Sequence, residues 1–175
     1  MGDQLSADET RVELSSGRVV SLHRLSDQDS AAVMALHQLL PAEDRYFRFF
    51  TPRPAHLDQL VTKLTQPDAM SYAIGAFDAG RLIGVANYVV AKDDPHAAEV
   101  AIAVAHDDHR AGVGTALFKQ LGRIAASHGI RCFTADVLAE NNLMRQVVRD
   151  IGWPRKRLTD DAVVLRFEIE LPDAT

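Results

Sequence analysis

Two glycines in a polar loop, Gly112 and Gly114, are the residues whose type and spacing point most directly to chemistry. Neither has a Cβ, so a diphosphate can come close to the backbone there. The loop, HDDHRAGVG, follows a β-branched stretch and precedes an apolar run that opens at Ala116 and Leu117. A strand that feeds a glycine loop and then a helix aims several backbone N–H groups at one point. The helix N-terminus adds partial positive charge, so the place suits phosphate. Two common phosphate loops do not fit. No G-x-x-x-x-G-K-[ST] string is present, and a dinucleotide fingerprint would need glycine at Leu117.

Other reactive side chains carry weaker patterns. Cys132 is a possible acyl-enzyme nucleophile, but it neighbours Phe133 in a strand that reads as buried, and no histidine is tied to it. His106-Asp107-Asp108-His109 offers metal-ligand types. No third partner is fixed by spacing and the loop is needed for phosphate, so no metal is expected. Asn141, ahead of an apolar periodic run, reads as a helix N-cap or Asx-turn.

Composition limits the partners. The 175 residues allow one domain with one core, and the net charge of −5 makes general nucleic-acid binding a poor reading. A single cysteine excludes an internal disulfide and fits a reducing, cytoplasmic setting. The first residues, MGDQLSADET, are acidic and polar, so residues 1–10 read as a disordered leader and 11–175 as the domain. No apolar run is long enough to span a membrane.

The elements that must position these residues follow from periodicity. Val19 to Leu25 reads as a strand after a turn at Ser16-Gly17. Ser26 reads as an N-cap with Asp27 and Asp29 behind it, and Val33, Leu36, Leu39 and Leu40 form the apolar face of the helix that Pro41 ends. The aromatic cluster Arg45-Tyr46-Phe47-Arg48-Phe49-Phe50 reads first as core packing. Pro52 or Pro54 opens a second helix, with Leu57, Leu60, Val61 and Leu64 on one face. Tyr72 to Phe77 and Leu82 to Ala91 are strands joined by the turn Asp78-Ala79-Gly80-Arg81. Ala98 to Val104 is the central strand. After the glycine loop, Leu117, Leu121, Ile124 and Ala125 mark a helix that Gly129 stops. Ile130 to Val137 is then a strand parallel to the central one, because a helix joins them. A helix through Leu143, Met144, Val147, Val148 and Ile151 ends at Gly152-Trp153-Pro154. A strand near Arg157 and a long one from Val163 to Leu171 close the chain.

Taken together, the E-V-A-I-A-V strand, the string His109-Arg110-Ala111-Gly112-Val113-Gly114 and the later N-x-x-M…G-W segment resemble the GNAT superfamily of acyl-CoA N-acyltransferases. Motif A of that superfamily reads [Q/R]-x-x-G-x-[G/A]; His109 departs from its first position. The resemblance runs from about Arg18 to Leu171. It implies an α/β (α+β) GNAT fold: a mixed, mostly antiparallel sheet, splayed at the central strand and flanked by about four helices. It implies acetyl-CoA as acyl donor, gripped by Arg110, Ala111, Gly112, Val113, Gly114 and Thr115, by Ile102, Ala103 and Val104 of the strand, and by Asn141 at the pantetheine arm. Val104 would offer its N–H to the thioester carbonyl, with a bulge there splaying the strand. Glu99, five residues earlier, stands where many members keep a catalytic glutamate. A base is needed because a lysine amine has an ordinary pKa of about 10.4. Seven residues after Asn141, where many members keep a general-acid tyrosine, this chain has Val148. The coenzyme A thiolate is then expected to leave unprotonated, since thiol pKa values lie near about 8.5.

The stretch VVSLHRLSDQD, the helix after it and RYFRFF resemble the acetyltransferase domain of bacterial protein lysine acetyltransferases that act on acyl-CoA synthetases. The implied reaction is direct acetyl transfer to a lysine ε-amine in a ternary complex. Neither domain fused to some of those enzymes is in this sequence, so regulation would come from another polypeptide or be absent. Two alternatives stand beside it: acetylation of a small amine such as an antibiotic, polyamine or amino acid, and a non-catalytic acyl-CoA-binding regulator. A strongly acidic acceptor pocket would favour a small polycation. A monomer or weak homodimer, with no nucleic-acid or membrane partner, completes the expectation.

Overall fold

The computed structural model of the chain describes residues 9–44, 56–66, 68–109, 111–159 and 161–174. Among these, eight strands form one sheet: β1 (Thr10–Glu13), β2 (Val19–Arg24), β3 (Ser71–Asp78), β4 (Arg81–Val90), β5 (Ala97–Val104), β6 (Cys132–Leu138), β7 (Arg155–Arg157) and β8 (Val164–Glu170). Their spatial order is β1-β2-β3-β4-β5-β6-β8-β7. Every neighbouring pair is antiparallel except β5 and β6. The described α-helices are α1 (Ser30–Leu39), α2 (Leu57–Thr65), α3 (Val113–Ser127) and α4 (Asn142–Asp150).

Alternation along the strands divides the core between the two faces of the sheet. Val100, Ile102 and Val104 of β5 join Leu117, Phe118 and Leu121 of α3 and Val147 of α4 in the larger cluster. Ala73 and Val85 of the neighbouring strands pack instead with Val33, Leu36, Val61 and Leu64 of α1 and α2. α3 lies close because Gly122 presents no side chain: a Cβ there would stand 2.5 Å from the Trp153 ring, which also faces Phe118. The β3–β4 hairpin closes on Ala79 and Gly80, both left-handed at φ 47° and 82°, the conformation of a tight two-residue turn that matches strand twist. At the entry to α1 the Ser26 N–H donates to the Asp29 carboxylate, 2.9 Å away.

Several expectations shift. β1 begins at Thr10, inside the stretch read as leader, and its polar sequence TRVE gave no strand signal. Leu39, expected on the apolar face of α1, is 82% exposed, while His37 is fully buried; its Nδ1 lies 2.8 Å from the Val33 carbonyl, a bond back into its own helix. The bulge expected at Val104 is not there: β4 and β5 stay in unbroken register from Val90–Ala98 to Gly84–Val104. The irregularity lies one hairpin earlier, between Ala76 and Phe77. Residues 45–50, the aromatic cluster, and Pro52 and Pro54 lie outside the described residues. Among the described residues, no helix is long and apolar enough to cross a membrane.

Candidate functional site

The sheet parts at its one parallel junction. β5 and β6 pair only at Ala97–Cys132, Ala98–Phe133 and Glu99–Thr134. Beyond that point a cavity of about 470 Å³ opens, lined by Glu99 to Val104 on one side and by Ala135, Asp136, Glu140, Asn141 and Met144 on the other. The splay is therefore real, and it comes from the ending of the parallel ladder and not from a bulge.

Backbone polarity in the cleft follows from register. The Ala105 N–H donates to the Ile83 carbonyl at 2.8 Å. Successive residues of a strand point their N–H and C=O groups to opposite sides, so those of Val104 and Ile102 face away from β4, toward the cleft. His109 bears this out: its Nε2 donates to the Val104 carbonyl at 2.9 Å. The Val104 N–H thus points into the cleft.

The glycine loop sits at the mouth of this cleft. Gly112 is left-handed at φ 87° and caps α3 without a side chain; a Cβ there would stand 3.0 Å from Ser15 Oγ. Ala116 donates back to the Gly112 carbonyl, and a helix leaves the N–H groups of its first turn, here Val113, Gly114 and Thr115, without intrahelical partners. Gly112, Gly114 and Thr115 border a smaller cavity of about 70 Å³ that Ser15, His109, Gln146 and Asp150 also line. Gly114 has a second reason to be glycine, since a Cβ there would meet Val147 of α4 at 3.0 Å. Arg110 lies outside the described residues.

What holds the loop is an ion-pair network that sequence reasoning missed. Asp108, 3% exposed, accepts from Arg18 at 2.9 Å and from Arg81 at 3.4 Å. Arg18 also donates to Asp78. Its hydrogen bond to Asp108, then that to Asp78, holds the Arg18 guanidinium above its ordinary pKa. The loop is thereby tied to the turns that end β1 and β3.

Apart from His106 and His109, the titratable side chains that line the cleft are acidic. Glu43, Asp44, Glu99, Asp136 and Glu140 all line it. Asp136 is neutralised by a two-pronged contact with Arg166 at 2.7 and 2.9 Å, and Glu99 adds to the negative field around that arginine. Glu99 itself is exposed, at the last paired position of β5. Asn141 does act as an N-cap: its side-chain oxygen accepts from the Met144 N–H at 3.1 Å, while the residue still lines the cleft. Val148 is buried, and no tyrosine among the described residues lines the cleft. Cys132 lies at the closed end of β6, outside the cleft lining, and burial, then Glu168 and Asp94, pushes its thiol up; this disfavours an acyl-enzyme. The two loop histidines do find a third partner. His106 Nδ1 lies 3.1 Å from Asp44 Oδ2, and His109 Nε2 lies 3.6 Å from the same oxygen. Asp44 carried no signal, because it stands 62 residues before His106.

Known proteins resemble this arrangement along most of the chain. The model of the acetyltransferase (GNAT) family matches residues 34–153. Acetyltransferase PA5475 of Pseudomonas aeruginosa is 26% identical over 164 residues, which cover 90% of this chain and 87% of that one. The crystal structure of the GNAT domain of S. lividans PAT superposes with a TM-score of 0.82 at 29% identity, covering 93% of this chain and 97% of that one. Spermidine N-acetyltransferase from Vibrio cholerae, solved with CoA and spermine, shares the fold at a TM-score of 0.69 and 18% identity, over 87% of this chain and 95% of that one.

Proposed function

The chain belongs to the acetyltransferase (GNAT) family, and on that premise we propose that it moves the acetyl group of acetyl-CoA to a lysine ε-amine of a protein, an acyl-CoA synthetase, by direct attack. The observation that carries the reading is the cleft between β5 and β6, with the Val104 N–H facing into it and a glycine-capped helix start at its mouth. The diphosphate sits against the backbone of Ala111 to Thr115, where the first-turn N–H groups of Val113, Gly114 and Thr115 and the helix dipole favour it. The pantetheine arm runs along Ile102, Ala103 and Val104, opposite Asn141.

The Val104 N–H donates to the thioester carbonyl and stabilises the negative charge that develops on its oxygen. Glu99 takes a proton from the acceptor ammonium, and the neutral amine then attacks. Glu99 lies five residues from Val104, about 16 Å along an extended strand, so the proton travels through water. The neutral amine nitrogen forms its bond to the carbonyl carbon, the adduct gives up its second N–H proton to water, the C–S bond breaks, and the coenzyme A thiolate leaves without a tyrosine acid. Cleft carboxylates favour an acceptor that arrives as a cation.

The likeness to the GNAT domain of S. lividans PAT supports a protein acceptor. The cleft carboxylates other than Asp136, which Arg166 neutralises, favour a second reading, a small polycationic amine. The test is radiolabelled acetyl transfer to an intact acyl-CoA synthetase, to a peptide copying its lysine site, and to a small-amine panel. The protein acceptor predicts turnover that collapses on the peptide, because remote binding energy is lost. A small amine with kcat/KM well above every protein replaces the first reading with the second. Acetyl-CoA binding with no turnover on any amine makes the chain a non-catalytic acyl-CoA-binding regulator.

A further inference from the structure

We propose that Asp44, His106 and His109 form a binding site for a divalent transition-metal ion, Zn²⁺ being the best match, at the mouth of the cleft. The donor atoms already converge. Asp44 Oδ2 lies 3.1 Å from His106 Nδ1 and 3.6 Å from His109 Nε2, and all three atoms lie within 4.8 Å of one another. Ligands about 2.0–2.1 Å from a tetrahedral ion stand about 3.4 Å apart. The two edges at Asp44 straddle that value and the His106–His109 edge is within 4.8 Å, so side-chain rotation alone can bring the three donors onto an ion.

The donor set also selects the ion. Two imidazole nitrogens and one carboxylate oxygen suit Zn²⁺, whereas Ca²⁺ and Mg²⁺ want oxygen ligands in greater number. The convergence is not a by-product of local turn geometry, because Asp44 follows α1 and the histidines belong to the loop before α3. Asp44 and His109 are largely enclosed, with side chains 13% and 22% exposed, while His106 at 64% leaves a way in for the ion. In the metal-free chain the His109 Nε2 proton is shared with the Val104 carbonyl; the ion takes the place of that proton. The fourth position is left for water. Once bound, the ion staples the loop ahead of the glycines to the segment that follows α1. The inference does not depend on acyl transfer.

The test is calorimetric titration of the metal-stripped full chain with Zn²⁺, together with thermal unfolding. The site predicts one Zn²⁺ per chain, a raised Tm, and no comparable heat with Mg²⁺ or Ca²⁺. His106→Ala and Asp44→Asn should each weaken Zn²⁺ binding at least tenfold; His106 is exposed, so its removal leaves the fold intact. Co²⁺ should give the intense visible bands of a four-coordinate nitrogen–oxygen site, without a thiolate charge-transfer band. Absence of stoichiometric binding overturns the proposal. So does unchanged affinity in a folded His106→Ala variant, or a thiolate band that places the ion at Cys132.

Discussion

Glu99 is where β5 loses its parallel partner, so its side chain stands at the hinge of the opening. Glu99→Gln keeps the shape and removes the basicity. General-base assistance is worth about 10²–10⁴-fold, so the loss should fall mainly on kcat. Raising the pH should restore part of it, because more of the acceptor amine is then neutral; steady-state kinetics between neutral and alkaline pH read both effects. A variant that turns over at the wild-type rate at pH 7 would move the base elsewhere. Cys132→Ser should leave turnover unchanged, since the thiol lies outside the cleft and burial keeps it protonated. At this scale the sequence was informative where chemistry is local. The glycines, Val104 and Glu99 lie in one continuous stretch and could be read together. Asp44 and Asp108 could not, because their meaning comes from partners far away in the chain.

Elements turn those residues into a site through their junctions. The 3-10 turn His106–Asp108 is clamped by Arg18 and Arg81 through Asp108. Asp108→Asn removes the charge that holds both arginines, so the KM for acetyl-CoA should rise severalfold while kcat at saturating donor changes little. A fall in kcat with KM unchanged would mean that the clamp does not position the loop. α3 depends on a different contact. Gly122→Ala puts a methyl into the Trp153 ring, and overpacking of this kind costs about 1–3 kcal/mol, readable as a lower denaturant midpoint. Helix periodicity revealed α2, α3 and α4 because their apolar faces are regular. It misassigned Leu39 because a histidine that reaches back to a carbonyl in its own helix, as His37 does, can be buried where a leucine at the helix end is not. It missed β1 because four residues with two charged side chains form a strand only through pairing with β2.

For the molecule as a whole, the order of strands and helices from β2 onward was legible, including the parallel β5–β6 pair, since a helix between two strands imposes it. What was not legible is how far that pair extends, because pairing length is set by packing on both faces of the sheet. Acetyl-CoA at a hundredfold excess over its Kd should stabilise the fold by about 2.7 kcal/mol, roughly 5–10 °C in Tm for a domain of this size; no shift would remove the donor-site assignment. The short pairing has a further consequence, visible in amide exchange. Along β5 the N–H groups of Ala101 and Ala103 face β4 and those of Ile102 and Val104 face the opening. In the free protein, deuterium should enter this strand in a sawtooth of period two, fast at Ile102 and Val104 and slow at their neighbours. A donor lying along β5 should flatten the sawtooth by slowing only the fast positions. Equal protection at all four amides before any ligand is added would mean that β5 and β6 zip together in solution and the cleft has to be pried open.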